Sequence, residues 1–81
     1  MNEDNALVLI MSEYSRARRA HPPFNSLHEG YAVLLEEVDE LWDEIKKNPS
    51  KRSALKLREE AVQVAAIALA ILVECIPETV E

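Results

Sequence analysis

The chain is short, acidic and rich in apolar residues. Its 81 residues make one domain at most, and a chain this short leaves about 40% of its unfolded surface exposed when it folds alone. Apolar residues make up 48% of the chain and charged residues 30%, a composition too apolar for intrinsic disorder. We therefore predict a single globular domain over residues 1–81 that needs a partner chain for stability.

Charge and cysteine content exclude several classes of function. The net charge of −6 argues against sequence-independent binding of DNA or RNA, which depends on neutralising phosphates with Lys and Arg. The single cysteine, Cys75, excludes an intramolecular disulfide and a Cys-rich zinc site. The N-terminus is acidic, unlike a signal peptide, and no apolar run approaches the roughly 18 residues that span a bilayer. We expect a cytoplasmic protein that binds neither a nucleic acid polymer nor a membrane.

The prolines divide the chain into three predicted helices. All four lie between segments of helical periodicity, at residues Pro22, Pro23, Pro49 and Pro77. The first helix is predicted over residues 3–19, with Asn2 as its N-cap. The second is predicted over residues 26–47, because Ser26 and Glu29 have the spacing of a capping box, in which each side chain bonds a backbone donor of the other residue.

The third helix is predicted to begin after a cap at Asn48 or Ser50 and to end at Cys75 or the next residue. Over residues 61–73 it is apolar on every side except at Gln63, so several helices must surround it. Two other helices of one chain cannot do so. The predicted fold class is therefore all-α, a three-helix chain forming a helical bundle that oligomerisation completes.

The second helix carries an apolar seam and an acidic face. The seam has spacings of three and four residues and is predicted to face another helix; it comprises Leu27, Tyr31, Leu34, Val38, Leu41 and Ile45. On a helical wheel Glu37, Glu40 and Glu44 flank the seam, within about 60° of one another. Clustered carboxylates repel unless cations or protons compensate, and Mg²⁺ prefers such hard oxygen ligands. A solvated acidic face is the alternative, because charged residues are mostly exposed.

A helical hairpin is expected to bring further polar residues to the level of these acids. If the third helix folds back antiparallel through a turn near Ser50, residues whose numbers add to about 100 lie at the same height. Glu40 then faces Glu60, and Glu37 faces Gln63. A buried amide needs a partner, which is either a metal-ligand shell or bound polar ligand, or else a neighbouring side chain or water.

Two acidic motifs, one on each helix of this hairpin, resemble those of a known enzyme family. Residues 36–40 read EEVDE and residues 59–63 read EEAVQ. They resemble the EExxE and ExxD motifs of the MazG-like all-α nucleoside triphosphate pyrophosphohydrolases. The preceding residues 24–31, FNSLHEGY, resemble the entry to the motif helix in short bacterial and phage members. The resemblance covers about residues 24–76, most of the chain.

This resemblance implies a helical homodimer or tetramer that binds Mg²⁺ and hydrolyses a nucleoside triphosphate to the monophosphate and pyrophosphate. It implies that Glu37, Glu40 and Glu60 are catalytic residues and, together with Gln63, the Mg²⁺ ligands. Gln63 stands where the family has Asp, so one negative charge is missing, although the amide oxygen is still a weak ligand. The alternative is a non-catalytic helical module for oligomerisation or partner binding, in which Gln63 marks lost metal chemistry.

Four other residues are candidates for contact with the substrate, namely His28, Gly30, Glu44 and Lys56. The missing side chain of Gly30 leaves room either for a base or sugar or for close helix packing. His28 is a candidate nucleotide contact, although a lone His at a helix start is often structural. Lys56 is a candidate phosphate contact, and either Glu44 or Glu59 has the spacing to compensate for the charge missing at Gln63.

Overall fold

The computed structural model describes residues 1–79, which form three α-helices and one short 3₁₀ helix. Helix α1 spans Glu3–Ala20, α2 spans Leu27–Ile45 and α3 spans Ala54–Cys75, with the 3₁₀ helix at Pro49–Lys51 between α2 and α3. No strand occurs in this part of the chain, which confirms the all-α prediction. None of the described helices has the length and apolar character needed to cross a membrane.

Side-chain caps begin the first two helices where the sequence predicts them. The Asn2 side chain accepts a hydrogen bond from the Asn5 backbone N–H at 2.8 Å, and the Ser26 hydroxyl accepts one from the Glu29 backbone N–H at 3.0 Å. The other half of the predicted capping box is wrong. The Glu29 carboxylate accepts from the backbone N–H of Asn25 at 3.1 Å and not from that of Ser26.

The predicted cap of the third helix is also wrong. Asn48 caps the 3₁₀ helix, accepting from the Ser50 backbone N–H at 3.0 Å, while Ser53 caps α3 by accepting from Lys56 N–H at 3.1 Å. The chain reverses direction at the 3₁₀ helix, between α2 and α3. Arg52 then donates two hydrogen bonds, of 2.9 and 2.7 Å, to the carbonyl oxygen of Ile45. This satisfies one of the exposed carbonyls at the end of α2.

Helix α3 lies between the other two helices and packs against both. In residues 1–79, α1 and α2 do not pack against each other. The buried apolar residues in this region are Ala66 and Ala70, which are 3% and 2% exposed. Both are on α3, so the small core follows the central helix, and small side chains let its neighbours approach closely.

The antiparallel register of α2 and α3 is fixed by a close contact at Gly30. A Cβ atom on Gly30 would lie 2.8 Å from Cγ1 of Ile71 and 3.3 Å from Cδ2 of Phe24. The space above Gly30 is thus filled by two side chains, which supports the close-packing alternative for this residue. The numbers of Gly30 and Ile71 add to about 100, as the predicted hairpin requires.

The predicted seam of α2 is only partly correct. Leu34 and Leu41 are half-buried, but the other four members of the seam are exposed, namely Leu27, Tyr31, Val38 and Ile45. The buried residues of α2 are Gly30 and Glu44. Apolar residues cover so much of this helix that periodicity alone does not tell which of two adjacent faces packs against α3.

A polar contact that residue spacing does not predict joins α1, α3 and the segment that follows α1. The Arg18 guanidinium pairs with the Glu74 carboxylate and lies 5.4 Å from the centre of the Tyr14 ring. The other Glu74 oxygen accepts from the backbone N–H of Phe24 at 2.8 Å. Glu74 is the only charged residue between Ala61 and Cys75, and that isolation is the signal that marks it.

We expect Gly30→Ala to lower the free energy of unfolding by about 1–2 kcal/mol, although Ala is the better helix former, because its Cβ would overlap Ile71. The β-branched Ile71 side chain has little freedom to move aside. Denaturant titration measures the effect. In an Ile71→Ala background the same substitution should cost nothing, and an equal cost in both backgrounds would contradict the close contact.

Candidate metal centre

Three carboxylates from two helices converge near the middle of the α2–α3 hairpin. Glu37 and Glu40 come from α2 and Glu60 from α3, and each offers an oxygen within 4.8 Å of the others. The antiparallel register brings Glu60 opposite the first two, as the hairpin predicted. Glu37 and Glu60 are half-buried, whereas Glu40 is exposed. The cluster therefore lies at the edge of the α2–α3 interface and is open to solvent on the side of Glu40.

Part of this cluster is buried without hydrogen bonds. One oxygen of Glu37 and one of Glu60 are inaccessible to solvent and have no hydrogen-bond partner among the described residues. A buried carboxylate oxygen without a partner is costly. A proton or a cation on the cluster would remove this cost.

The carboxylates disturb one another's ionisation. Burial, together with the charge and hydrogen bond of Glu40 and the charge of Glu60, raises the pKa of Glu37 from 4.5 to about 7. Burial and the same two interactions with Glu40 raise the pKa of Glu60, while the positive charge of Lys56 lowers it. The protonated form of Glu37 is therefore well populated near neutral pH when no cation is bound.

The donor set fits a hard divalent cation. Glu37, Glu40 and Glu60 offer carboxylate oxygens, the ligand type that Mg²⁺ prefers. Oxygens that share one Mg²⁺ at about 2.1 Å lie roughly 3–4 Å apart, so the cluster needs only a small contraction. The unpartnered buried oxygens of Glu37 and Glu60 are available for this role. The arrangement can hold a cation and leave positions on it for water or a ligand.

Two of the other candidate residues lie near the cluster. Lys56 is one helical turn before Glu60 and close enough to lower its pKa. Glu44 is one turn after Glu40 and is buried, only 7% exposed. One Glu44 oxygen accepts from Lys47 at 2.8 Å, and the other is buried without a hydrogen-bond partner among the described residues.

Gln63 lines a groove between α1 and α3, together with Ser12 and Glu13. This groove has a volume of about 290 Å³, and Glu59 and Arg58 also line it. A hydrogen bond from Arg16 lowers the pKa of Glu13, and a further one from Gln63 acts in the same direction. The amide thus lies beside a carboxylate of α1, and its role as a metal ligand stays a prediction.

His28 and Gly30 are farther from the three carboxylates. Gly30 lies seven residues before Glu37, about 10 Å along the axis of α2, and His28 lies about 14 Å before it. His28 is exposed, whereas Gly30 is buried against α3. A role for His28 at this site requires a ligand that extends along α2 toward its N-terminus, whereas side chains of the protein already fill the space at Gly30.

Comparison of the chain with protein-family models, curated proteins and solved structures finds no match. The resemblance to the MazG-like enzymes therefore rests on the motif residues of the sequence.

The raised pKa of Glu37 predicts that stability falls as pH rises. Between pH 4.5 and 7 the unfolded chain has released this proton and the folded chain has not, so folding binds a proton. In the absence of divalent cations we expect the free energy of unfolding to fall by roughly 2 kcal/mol across this interval. The pKa of Glu13 is lowered, so this group changes the free energy of unfolding at pH values below this interval.

Denaturant titration at several pH values tests this expectation. The Glu37→Gln protein should show a clearly smaller slope, because it lacks the titrating group. Asp39→Asn, a neutralisation on the exposed side of α2, should keep the wild-type slope. Identical slopes for wild type and Glu37→Gln would assign the pH dependence to another group.

Proposed function

We propose that this chain is a Mg²⁺-dependent nucleoside triphosphate pyrophosphohydrolase of the MazG-like type, acting in the cytoplasm as a homodimer or tetramer. The observation that carries the proposal is the convergence of Glu37, Glu40 and Glu60, the three acids that match the family motifs, on one site. An isolated acidic helix face would not require Glu60 to meet the two acids of α2.

In this proposal Glu37, Glu40 and Glu60 hold the cation and keep it at the mouth of the α2–α3 interface. Once bound, a hard divalent cation supplies neutralisation of phosphate oxygens and a more acidic water for attack on phosphorus. The exposed position of Glu40 leaves room for a triphosphate to approach. This is how a chain of net charge −6 binds an anionic substrate.

The residues around the cluster suit a polyphosphate. Lys56 is exposed and its charge acts on Glu60, so its ammonium group is within reach of a phosphate bound beside the acids. Glu44 is already paired with Lys47, and we assign it to positioning Lys47 near the same end of the hairpin. These contacts would orient the phosphates, while the groups that recognise base and sugar stay unassigned.

A second candidate function is a non-catalytic helical module for oligomerisation or partner binding. The observation that favours it is the position of Gln63 beside Glu13, in the groove between α1 and α3. If this amide stays beside Glu13, the cluster has three oxygen donors where the family has four. The carboxylates would then be a relic of a metal site.

Mg²⁺ should stabilise the wild-type protein, because a ligand that binds only the folded state raises stability by mass action, by about 2.7 kcal/mol at 100 times its Kd. Glu37→Gln and Glu40→Gln should lose this shift in melting temperature. Their metal-free stability should be equal to or above that of wild type, since repulsion is relieved. Asp39→Asn is the matched control, and equal shifts in all four proteins would place the cation elsewhere.

Pyrophosphate release tests catalysis directly. We expect wild type to hydrolyse at least one of a panel of canonical and modified nucleoside triphosphates in Mg²⁺, with no activity in chelator. Glu40→Gln should reduce the rate by at least about 100-fold, because the variant loses a charged oxygen ligand. Asp39→Asn should stay within about twofold of wild type. Inactivity of wild type on the whole panel would favour the binding module.

Gln63→Asp separates the two candidate functions. In a working site it restores the family's fourth acid, and we expect tighter Mg²⁺ binding with activity kept or raised. In a relic it adds a carboxylate beside Glu13, in a groove that Arg16 and Arg58 also line, and we expect lower stability, no response to Mg²⁺ and no activity. Thermal stability and pyrophosphate release, measured with and without Mg²⁺, distinguish these outcomes.

A further inference from the structure

Helix α2 exposes a continuous apolar stripe that no described part of the chain covers. Its members recur at spacings of three and four residues along the whole helix and are between 37% and 62% exposed. The apolar stripe comprises Leu27, Tyr31, Leu35, Val38, Trp42 and Ile45. Such a run on one helix is typical of a face that packs against another helix.

The apolar stripe is complementary to a second copy of itself when the two helices run in opposite directions. If two copies of α2 pair antiparallel about a point between Glu36 and Glu37, Leu35 of one copy lies opposite Val38 of the other. Tyr31 then lies opposite Trp42 at the same level of the pair. At the ends, Leu27 lies level with Ile45. A two-fold interface requires this self-complementarity, because the same patch must fit itself.

The surface area of the chain supports a second copy as the occupant. The chain exposes 6082 Å², whereas a compact monomer of 9.2 kDa is expected to expose about 4,900 Å². The excess of roughly 1,200 Å² is comparable to the roughly 800 Å² that each partner buries in a standard interface. The radius of gyration of 14.0 Å also exceeds the roughly 11.7 Å expected for a compact domain of this length.

We propose that a second copy of this chain docks antiparallel on the apolar stripe of α2, as a two-fold dimer centred between Glu36 and Glu37. This gives an interface to the homo-oligomer expected in the proposed function, and that expectation is the only part of the proposed function on which it rests. Glu40 lies about 170° around α2 from the midline of the stripe. The dimer therefore leaves the open side of the carboxylate cluster free.

Sedimentation of the full chain at micromolar concentration tests the interface. Leu35→Lys places two ammonium groups in the centre of the contact and should raise the dissociation constant at least about 100-fold. It should therefore sediment at half the wild-type mass. Leu72→Lys is the matched control, since Leu72 is an exposed leucine of α3 at 59%, and it should keep the wild-type mass. Circular dichroism checks that both variants keep their helices.

Cross-linking through engineered cysteines tests the orientation in a Cys75→Ala background. Antiparallel pairing brings Tyr31→Cys of one copy next to Trp42→Cys of the other, so only the double variant should form covalent dimers on oxidation. A parallel pair would join like positions and would cross-link each single variant.

Several outcomes would overturn the proposal. They are a monomeric wild type, an unchanged mass for Leu35→Lys, and cross-linking of the single cysteine variants. Loss of mass in Leu72→Lys alone would move the interface to α3. A wild type that is dimeric in this way but releases no pyrophosphate would contradict the proposed catalysis and leave the interface intact. A wild type that releases pyrophosphate, with an oligomeric mass that Leu35→Lys leaves unchanged, would contradict the interface and leave the proposed catalysis intact.

Discussion

The antiparallel packing of α2 against α3 is the constraint on which the candidate site depends. Gly30 lets the two helices approach until Ile71 fills the space of its missing side chain, and this contact fixes their relative height. Seven residues farther along α2, the same register brings Glu37 and Glu40 to Glu60. A shift of one helical turn would separate the acids by about 5.4 Å along the axis, so a packing contact determines the metal-binding potential of the site.

Buried acids elsewhere in the hairpin are compensated in a different way. Glu74 pairs with Arg18 and accepts a hydrogen bond from a backbone N–H, and one oxygen of Glu44 is bonded to Lys47. Glu44 also keeps one buried oxygen without a partner, but Glu37 and Glu60 have such an oxygen and, unlike Glu44 and Glu74, form no ion pair with a basic side chain among residues 1–79. The raised pKa of Glu37 is the consequence. That contrast distinguishes the carboxylate cluster from a structural ion pair, and it is why a cation is the occupant that we propose.

The exposed apolar residues and the small core have the same cause, which is that few helices pack against one another in this chain. Within residues 1–79, helix α3 packs against only two other helices, and the buried apolar residues are two alanines. Large apolar residues such as Trp42 and Tyr31 stay exposed, because α1 lies on the other side of α3 and does not reach α2. A second copy of α2 would cover them without any change in the fold of the monomer, and the stripe and the carboxylate cluster occupy different faces of one helix.

The sequence by itself determined the three helices, the caps at Asn2 and Ser26 and the pairing of Glu40 with Glu60, because these depend on local hydrogen bonds and on counting residues across a hairpin. Only the tertiary structure decided which face of α2 packs against α3, since apolar residues occupy two adjacent faces and periodicity does not rank them. It also decided the surroundings of Gln63, whose amide lies in the groove beside Glu13. Side-chain partners on a third helix depend on how that helix crosses the hairpin, and residue spacing holds no information on that angle.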